Sequence, residues 1–401
     1  MNNPKKRDLS LYVHIPFCKA KCNYCDFLSF GGCDYTHQKQ YVQALCKEIE
    51  AYEYMAHEYV VRTIFFGGGT PSFVDASFVE QIMLTIRTVF KLDDDVEITI
   101  EGNPDSLSKD KLEVYKRAGI NRLSIGLQSA NDTLLKVLGR VHKYDQFVAA
   151  YSNARQVGFT NINVDIMSGL PGETKESYIR TLAKVVELQP EHISAYSLIV
   201  EEDTPLSEDE QLLDLLPSEE MDRKLYAKTK LLLKNSGYNR YEISNYARQG
   251  FACRHNLVYW TGGEYLGVGL GASSYLQVWL DDEHCKKVRF HGVENMEEYI
   301  GRFSRCEGDT LLTFIEDYYR DIQLLKRKDE MEEFMFLGLR CTDGVSKRAF
   351  KERFGVDIES VYGKVITKYV EQNLLIDEDE RIFLSDAGID VSNVVMAEFM
   401  L

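Results

Sequence analysis

Six short runs of apolar and β-branched residues, at 11–16, 63–68, 97–102, 122–129, 161–170 and 192–200, constrain the fold of this chain more than any other feature. Bounded by glycine, proline and polar residues, each reads as a strand. The gaps at 38–54, 76–90, 108–118, 144–157 and 175–188 carry apolar residues near i, i+3 and i+4 and read as helices. Nearly continuous apolar strands are buried on both faces, and crossover helices of this length make neighbouring strands parallel. The expected fold class is α/β, a partial TIM-type barrel of six β-α units. Gly119 and Gly158 fall where a helix needs a left-handed C-cap before the next strand.

Beyond the sixth run the pattern changes. An acidic stretch at 201–220, with Pro205 and Pro217, reads as a surface loop leading into a helix at 218–235. Residues 236–300 read as an extension with a glycine-rich piece at 262–271. From about Gly301 the chain turns mainly helical (329–339, 347–354, 358–372) and ends in a strand pair at 374–385, as in a winged-helix-like domain. The expected division is 1–235, 236–300 and 301–401.

Nine cysteines, with no apolar segment behind the charged N-terminus to act as a secretory signal, point to a cytoplasmic chain with reduced thiols. No run of about 18 apolar residues appears that could span a bilayer. A formal net charge of -16 argues against nucleic acid as the main partner.

Three of the cysteines stand together. Cys18-Lys-Ala-Lys-Cys22-Asn-Tyr-Cys25 places three soft ligands within eight residues, directly after the first strand. Thiolates of this kind suit zinc or an iron-sulfur cluster. Structural zinc asks for four closed ligands, which here would need His14 or Cys33; three leave one metal position open to a small molecule. Other polar and glycine residues fall at the ends of different strands, where a parallel barrel holds its chemistry: Gly68, Gly69 and Thr70, then Glu101, Gln128 and Asp165. The triple glycine could equally be a tight turn. Glu101 and Asp165, on apolar strands, each require a cationic or hydroxyl partner. Arg140 offers a planar fork for a carboxylate, or is a surface arginine in a solvated loop.

The CxxxCxxC spacing with Tyr24 before the last cysteine resembles the radical S-adenosylmethionine (SAM) superfamily. That resemblance implies a 4Fe-4S cluster on Cys18, Cys22 and Cys25 whose open iron binds SAM. The likeness to the coproporphyrinogen-oxidase branch runs through most of the chain. It implies that Gly69 and Glu101 hold the methionine amino group of SAM, Arg140 its carboxylate, and Gln128 and Asp165 its ribose, with Tyr12 near the cluster. The oxidase of that branch has a further cysteine where this chain has Phe27, and a longer segment ahead of its cysteine loop. Both departures match the HemW-type haem chaperones, as does His255-Asn256-Leu257-Val258-Tyr259-Trp260, which fits their HNxxYW motif.

This resemblance implies haem as cargo, bound near His255, Asn256, Tyr259 and Trp260. It also implies delivery to haem-requiring, membrane-bound respiratory proteins, and allows a homodimer. Neutral imidazole is a common haem ligand. From the residues alone, a hydrogen-bonded core histidine among ordinary core aromatics is the competing reading. The enzymatic alternative is oxygen-independent coproporphyrinogen III oxidation. Cys253-Arg-His255 is not a CxxCH attachment site, so Cys253 reads as a buried free thiol, and Cys33, Cys46, Cys285, Cys306 and Cys341 lack the spacing of a second cluster. The run 267–271 is expected to bring backbone close to the site mouth without the setting of a dinucleotide fingerprint.

Overall fold

The computed structural model describes residues 6–279, 285–303 and 311–400. The six expected strands are all present: β1 (Arg7–Ile15), β2 (Tyr59–Gly68), β3 (Leu92–Gly102), β4 (Arg122–Gln128), β5 (Ile162–Ser168) and β6 (His192–Ser197). They lie side by side in that order and all pair in parallel. Between them run α1 (Tyr35–Ala51), α2 (Ala76–Val89), α3 (Lys109–Ala118), α4 (Tyr144–Val157) and α5 (Lys175–Glu187), and α6 (Glu219–Asn235) follows β6. Asp34, Asp75, Ser108, Thr174 and Ser218 cap the N-termini of α1, α2, α3, α5 and α6 with side-chain acceptors. Gly119 and Gly158 close α3 and α4 in the left-handed conformation, as their positions predicted.

Alternation along β1 shows how the sheet sorts its residues. Leu9, Leu11, Val13 and Ile15 join the core, while Tyr12 and His14 take the opposite face and meet at 3.1 Å inside the barrel. The barrel does not close. Beyond β6 the sheet continues through β7 (Asn239–Arg240) and β8 (Asn245–Ala247), with β8 against β6 and antiparallel to it. Beyond β1 it continues through β9 (Tyr265–Val268), β10 (Ser273–Trp279), β11 (Cys285–His291) and β12 (Arg320–Leu324). Residues 236–300, expected as a separate extension, are thus divided between the two edges of one sheet. Between these strand groups, α7 (Arg254–Thr261) carries the HNxxYW motif.

The boundary expected at 301 falls later. Helices α8 (Met296–Phe303) and α9 (Leu311–Tyr318) precede β12, and Phe303, Phe314, Ile315 and Tyr319 belong to the barrel's own core. A second core begins at Met331. It is built from α10 (Arg327–Gly338), α11 (Lys347–Phe354) and α12 (Ile358–Glu371), with a small sheet of β13 (Val345–Ser346), β14 (Leu375–Glu378) and β15 (Arg381–Leu384) in the order β13-β15-β14. Helices backed by a strand hairpin are the winged-helix-like arrangement expected for the tail. No helix among the described residues is long and apolar enough to cross a membrane.

Candidate functional site

The cysteine loop begins at the C-terminal end of β1 and is fastened from several sides. His14 Nε2 pairs with Leu28 O at 2.9 Å, Asn23 N and Nδ2 donate to Leu138 O and Val137 O at 3.1 Å each, and Phe30 N donates to Pro16 O at 2.7 Å. So held, Cys18, Cys22 and Cys25 line one cavity of about 330 Å³ at the top of the barrel. Burial pushes the Cys18 and Cys25 thiols up, while hydrogen bonding from Thr70 to Cys18 and from the Phe27 backbone to Cys25 pulls them back. Among the described residues no three His, Cys, Asp or Glu converge on a single metal ion. Three soft thiolates around one cavity suit an iron-sulfur cluster.

The cavity also gathers the residues the sequence placed at strand ends: Tyr24, Gly68, Gly69, Thr70, Glu101, Gln128, Arg140 and Asp165 all line it. Gly69 shows why the turn there is glycine, since a Cβ would meet Cys18 Sγ and Phe17 O at 2.9 Å each. Thr70 Oγ1 lies 3.5 Å from Cys18 Sγ and accepts from Asn103 Nδ2 at 3.0 Å. Arg140 is not a solvated surface residue. It donates to Asn103 Oδ1 at 2.5 Å, Gly126 O at 2.8 Å and Cys22 Sγ at 3.5 Å, and its buried Nε has no hydrogen-bond partner among the described residues. Gln128 stands at φ +68, a left-handed conformation uncommon outside glycine, where the register between β4 and β5 slips.

Glu101 and Asp165 are half-buried neighbours. Burial first and Asp165 second push the Glu101 carboxyl up to about 8, against Arg122 and the Gly68 N–H. Burial likewise raises Asp165, although Ser124 Oγ at 3.0 Å and Asn163 Nδ2 at 2.8 Å donate to it. A paired carboxylate site of this kind favours a ligand bringing an ammonium or hydroxyl groups. Soft thiols, a glycine cradle, a buried cationic fork and these two carboxylates together fit a 4Fe-4S cluster with SAM.

Tyr12 lies apart from this cavity. It lines a second chamber of about 190 Å³ behind Glu101 and Asp165, together with His255, Asn256 and Tyr259. The HNxxYW helix α7 plugs the barrel near the N-terminal ends of the strands. Glu97, near the start of the paired segment of β3, accepts from Arg254 N at 3.2 Å and His255 N at 3.1 Å, placing an anion at the helix N-terminus. His255 has both ring nitrogens engaged, Nδ1 with Thr63 Oγ1 at 2.8 Å and Nε2 with Tyr259 OH at 2.9 Å, and it stacks on Phe65. Burial, with Arg122 second, pushes its pKa down to about 3. Trp260 does not share the chamber; it lies under the Arg340 guanidinium at 4.4 Å, facing the C-terminal domain.

Several residues around the two cavities escaped sequence reasoning. Asn103 orders both Thr70 and Arg140, His14 ties the cysteine loop to β1, and Arg122 is buried against the chamber with no hydrogen-bond partner for its Nε among the described residues. Asn103 alone carried a signal, following Glu101 at a strand end. The glycine run 267–271 does approach other segments closely: a Cβ at Gly269 would meet His14 O at 2.7 Å and one at Gly271 would meet Leu28 Cδ2 of the cysteine loop at 2.5 Å, while Gly269 N donates to Glu48 Oε2 at 2.8 Å on α1. Cys253 is a buried free thiol, raised to about 12 by burial, and Cys33, Cys46, Cys285 and Cys341 are free as well; Cys306 lies outside the described residues.

Comparison with known proteins agrees with this geometry. The radical SAM superfamily profile matches residues 12–185 and the HemN C-terminal domain profile residues 325–391. "Heme chaperone HemW" of Bacillus subtilis is 35% identical over 98% of this chain and 99% of its own length, and that of Lactococcus lactis 34% identical over 98% and 97%. The solved structure of coproporphyrinogen III oxidase (HemN) from Escherichia coli superposes with a TM-score of 0.81 at 22% identity, covering 98% of this chain and 90% of that one, and shares the fold. With such identity along almost the whole length, the chain belongs to the HemW family of the radical SAM superfamily.

Proposed function

We propose that this chain is a cytoplasmic haem chaperone: it binds haem, carries a 4Fe-4S cluster with SAM on it, and passes haem to haem-requiring proteins, membrane-bound respiratory enzymes among them. The observation that carries this reading is the full-length similarity to relatives named as haem chaperones. Phe27, in place of the further cysteine of the oxidase branch, supports it against the oxidase alternative.

Cys18, Cys22 and Cys25 would hold three irons and leave the fourth for SAM. When bound and reduced, such a cluster supplies an electron able to cleave SAM. The chain's own part is placement. Glu101, held next to Asp165 with no cation among the described residues bonded to it, would accept the methionine ammonium beside the Gly69 backbone. Arg140 would hold the carboxylate through its fork, already oriented by Asn103 and Gly126. Asp165 and Gln128 would take the ribose hydroxyls, with Tyr24 closing the side and Tyr12 behind Glu101.

The test is anaerobic reconstitution of the cluster, followed by SAM with coproporphyrinogen III in one arm and haemin in the other. Stable haemin uptake without protoporphyrinogen IX is the expected result, and formation of that product would overturn the chaperone reading. Cys22→Ala should lose cluster iron in the same preparation.

A further inference from the structure

We propose that haem lies across the mouth of the cluster cavity, on Phe27, Tyr196 and Ile199, rather than inside the barrel against His255; this rests on the haem-chaperone reading above. The barrel interior has the wrong lining. Plugged by α7, its inner chamber of about 190 Å³ adjoins the cluster cavity along Glu101, Ser124, Asp165 and Tyr196 and is ringed mostly by polar side chains. Clefts for drug-sized ligands are mostly apolar. Nor is His255 available as a ligand, because releasing either ring nitrogen leaves a buried hydroxyl, Thr63 or Tyr259, without its partner.

The mouth has the opposite character. Phe27 is 65% exposed two residues after Cys25, Ile199 is 68% exposed and Tyr196 is 40% exposed. Phe27 and Tyr196 both line the cavity, approaching from the cysteine loop and the end of β6. Ile199 follows Leu198, which packs with Met167 of the cavity wall. Large apolar side chains left bare at one opening, Phe27 and Tyr196 on the cavity and Ile199 three residues beyond Tyr196, mark a binding surface rather than scattered surface residues. With the cluster and SAM filling the cavity beneath, this rim would remain as an outward apolar ledge suited to a flat macrocycle.

Charge agrees with that placement. The chain carries a net charge of -16, unfavourable for a ligand with two propionates, yet the cysteine loop presents Lys21 on the cavity itself. Lys19 lies in the same loop, 3.4 Å from Asp105. Propionates directed toward Lys21 would leave the macrocycle on Phe27, Tyr196 and Ile199.

The experiment is an anaerobic haemin titration, followed by difference absorbance, of the cluster- and SAM-loaded protein beside Phe27→Ser, Ile199→Ser, Lys21→Glu and His255→Gln. Loss of one buried apolar contact should weaken binding about tenfold in each of the first two. Lys21→Glu should weaken it less and flatten its salt dependence, and His255→Gln should titrate like the wild type. Cluster absorbance reports loading; should Phe27→Ser fail to load, Ile199→Ser, on a different loop, gives the answer. If Phe27→Ser and Ile199→Ser bind haemin like the wild type while His255→Gln loses the haem spectrum, the mouth is overturned and the chaperone reading stands. If the wild type takes up no haemin, the underlying reading fails.

Discussion

At Gly69 the backbone comes so close to Cys18 that a methyl group has nowhere to go. The position carries no positive φ, so alanine is conformationally allowed and its cost is purely spatial. Gly69→Ala should therefore displace the cysteine loop, at an overpacking cost of about 1–3 kcal/mol, and reduce iron per chain after reconstitution. Unchanged iron content and an unchanged melting temperature would sink the close-approach argument. Glu48 offers a second residue-scale test. It is fully buried and accepts from Tyr299 OH, from Tyr319 OH at 2.5 Å and from Gly269 N at 2.8 Å, yet burial outweighs these donors and raises its pKa from an ordinary 4.5 to about 7. The folded chain thus holds a proton that the unfolded chain releases. This contribution to stability is complete below about pH 4.5 and is lost as pH rises through about 7. Glu48→Gln should flatten the fall in melting temperature over that interval, and equal slopes for both proteins would refute it. Gly69 is marked in the sequence by its triple glycine at a strand end, whereas Glu48 reads as one more charge on a helix.

Helix α7 shows where sequence reasoning stops at the scale of an element. The six barrel strands are legible because burial on both faces leaves an apolar run, and the residues that line the cavity at their ends are legible because carboxylates on apolar strands need partners, while the triple glycine alone reads equally as a tight turn. His255, Tyr259 and Trp260 are a different case, since a plug of core aromatics and a ligand cluster share one composition. Only position separates them. The outer strands escape the sequence pattern for a related reason: β10 to β12 pair antiparallel and carry exposed residues that blur into loop, and β9, though buried and parallel to β1, is only four residues long. If α7 is a plug, His255→Ala should strand the Thr63 and Tyr259 hydroxyls and open space behind Phe65. A loss of about 2–3 kcal/mol is expected, measured by denaturant unfolding, with cluster iron retained. Loss of the cluster without loss of stability would assign the helix to the site instead.

Across the whole molecule, the tail domain was placed too early because α8 and α9 look like the helices that follow them. Their apolar residues nevertheless join the barrel core, and the real junction is a polar seam. Arg289 on β11 makes a two-pronged pair with Glu333 on α10 at 2.8 and 2.9 Å. Arg353 on α11 bonds Glu330 at 2.9 Å and Tyr275 OH on β10 at 3.1 Å, and Arg340 covers Trp260. Beside these pairs and the stacked ring, the seam holds Ile243 against the second core and a backbone bridge between Glu242 and Cys341, while each partly exposed pair contributes only about 1 kcal/mol. The charged part of the seam is what salt and substitution can remove. Arg289→Ala combined with Arg353→Ala should divide a single calorimetric transition into two, with the winged-helix-like domain and the barrel melting independently. The same division should appear in the unaltered protein at high salt, because screening acts on the same pairs. If the double variant melts as one unit at a lower temperature, the domains are coupled through the stacked Trp260 and the backbone contacts of Tyr241 and Thr342 rather than through charge.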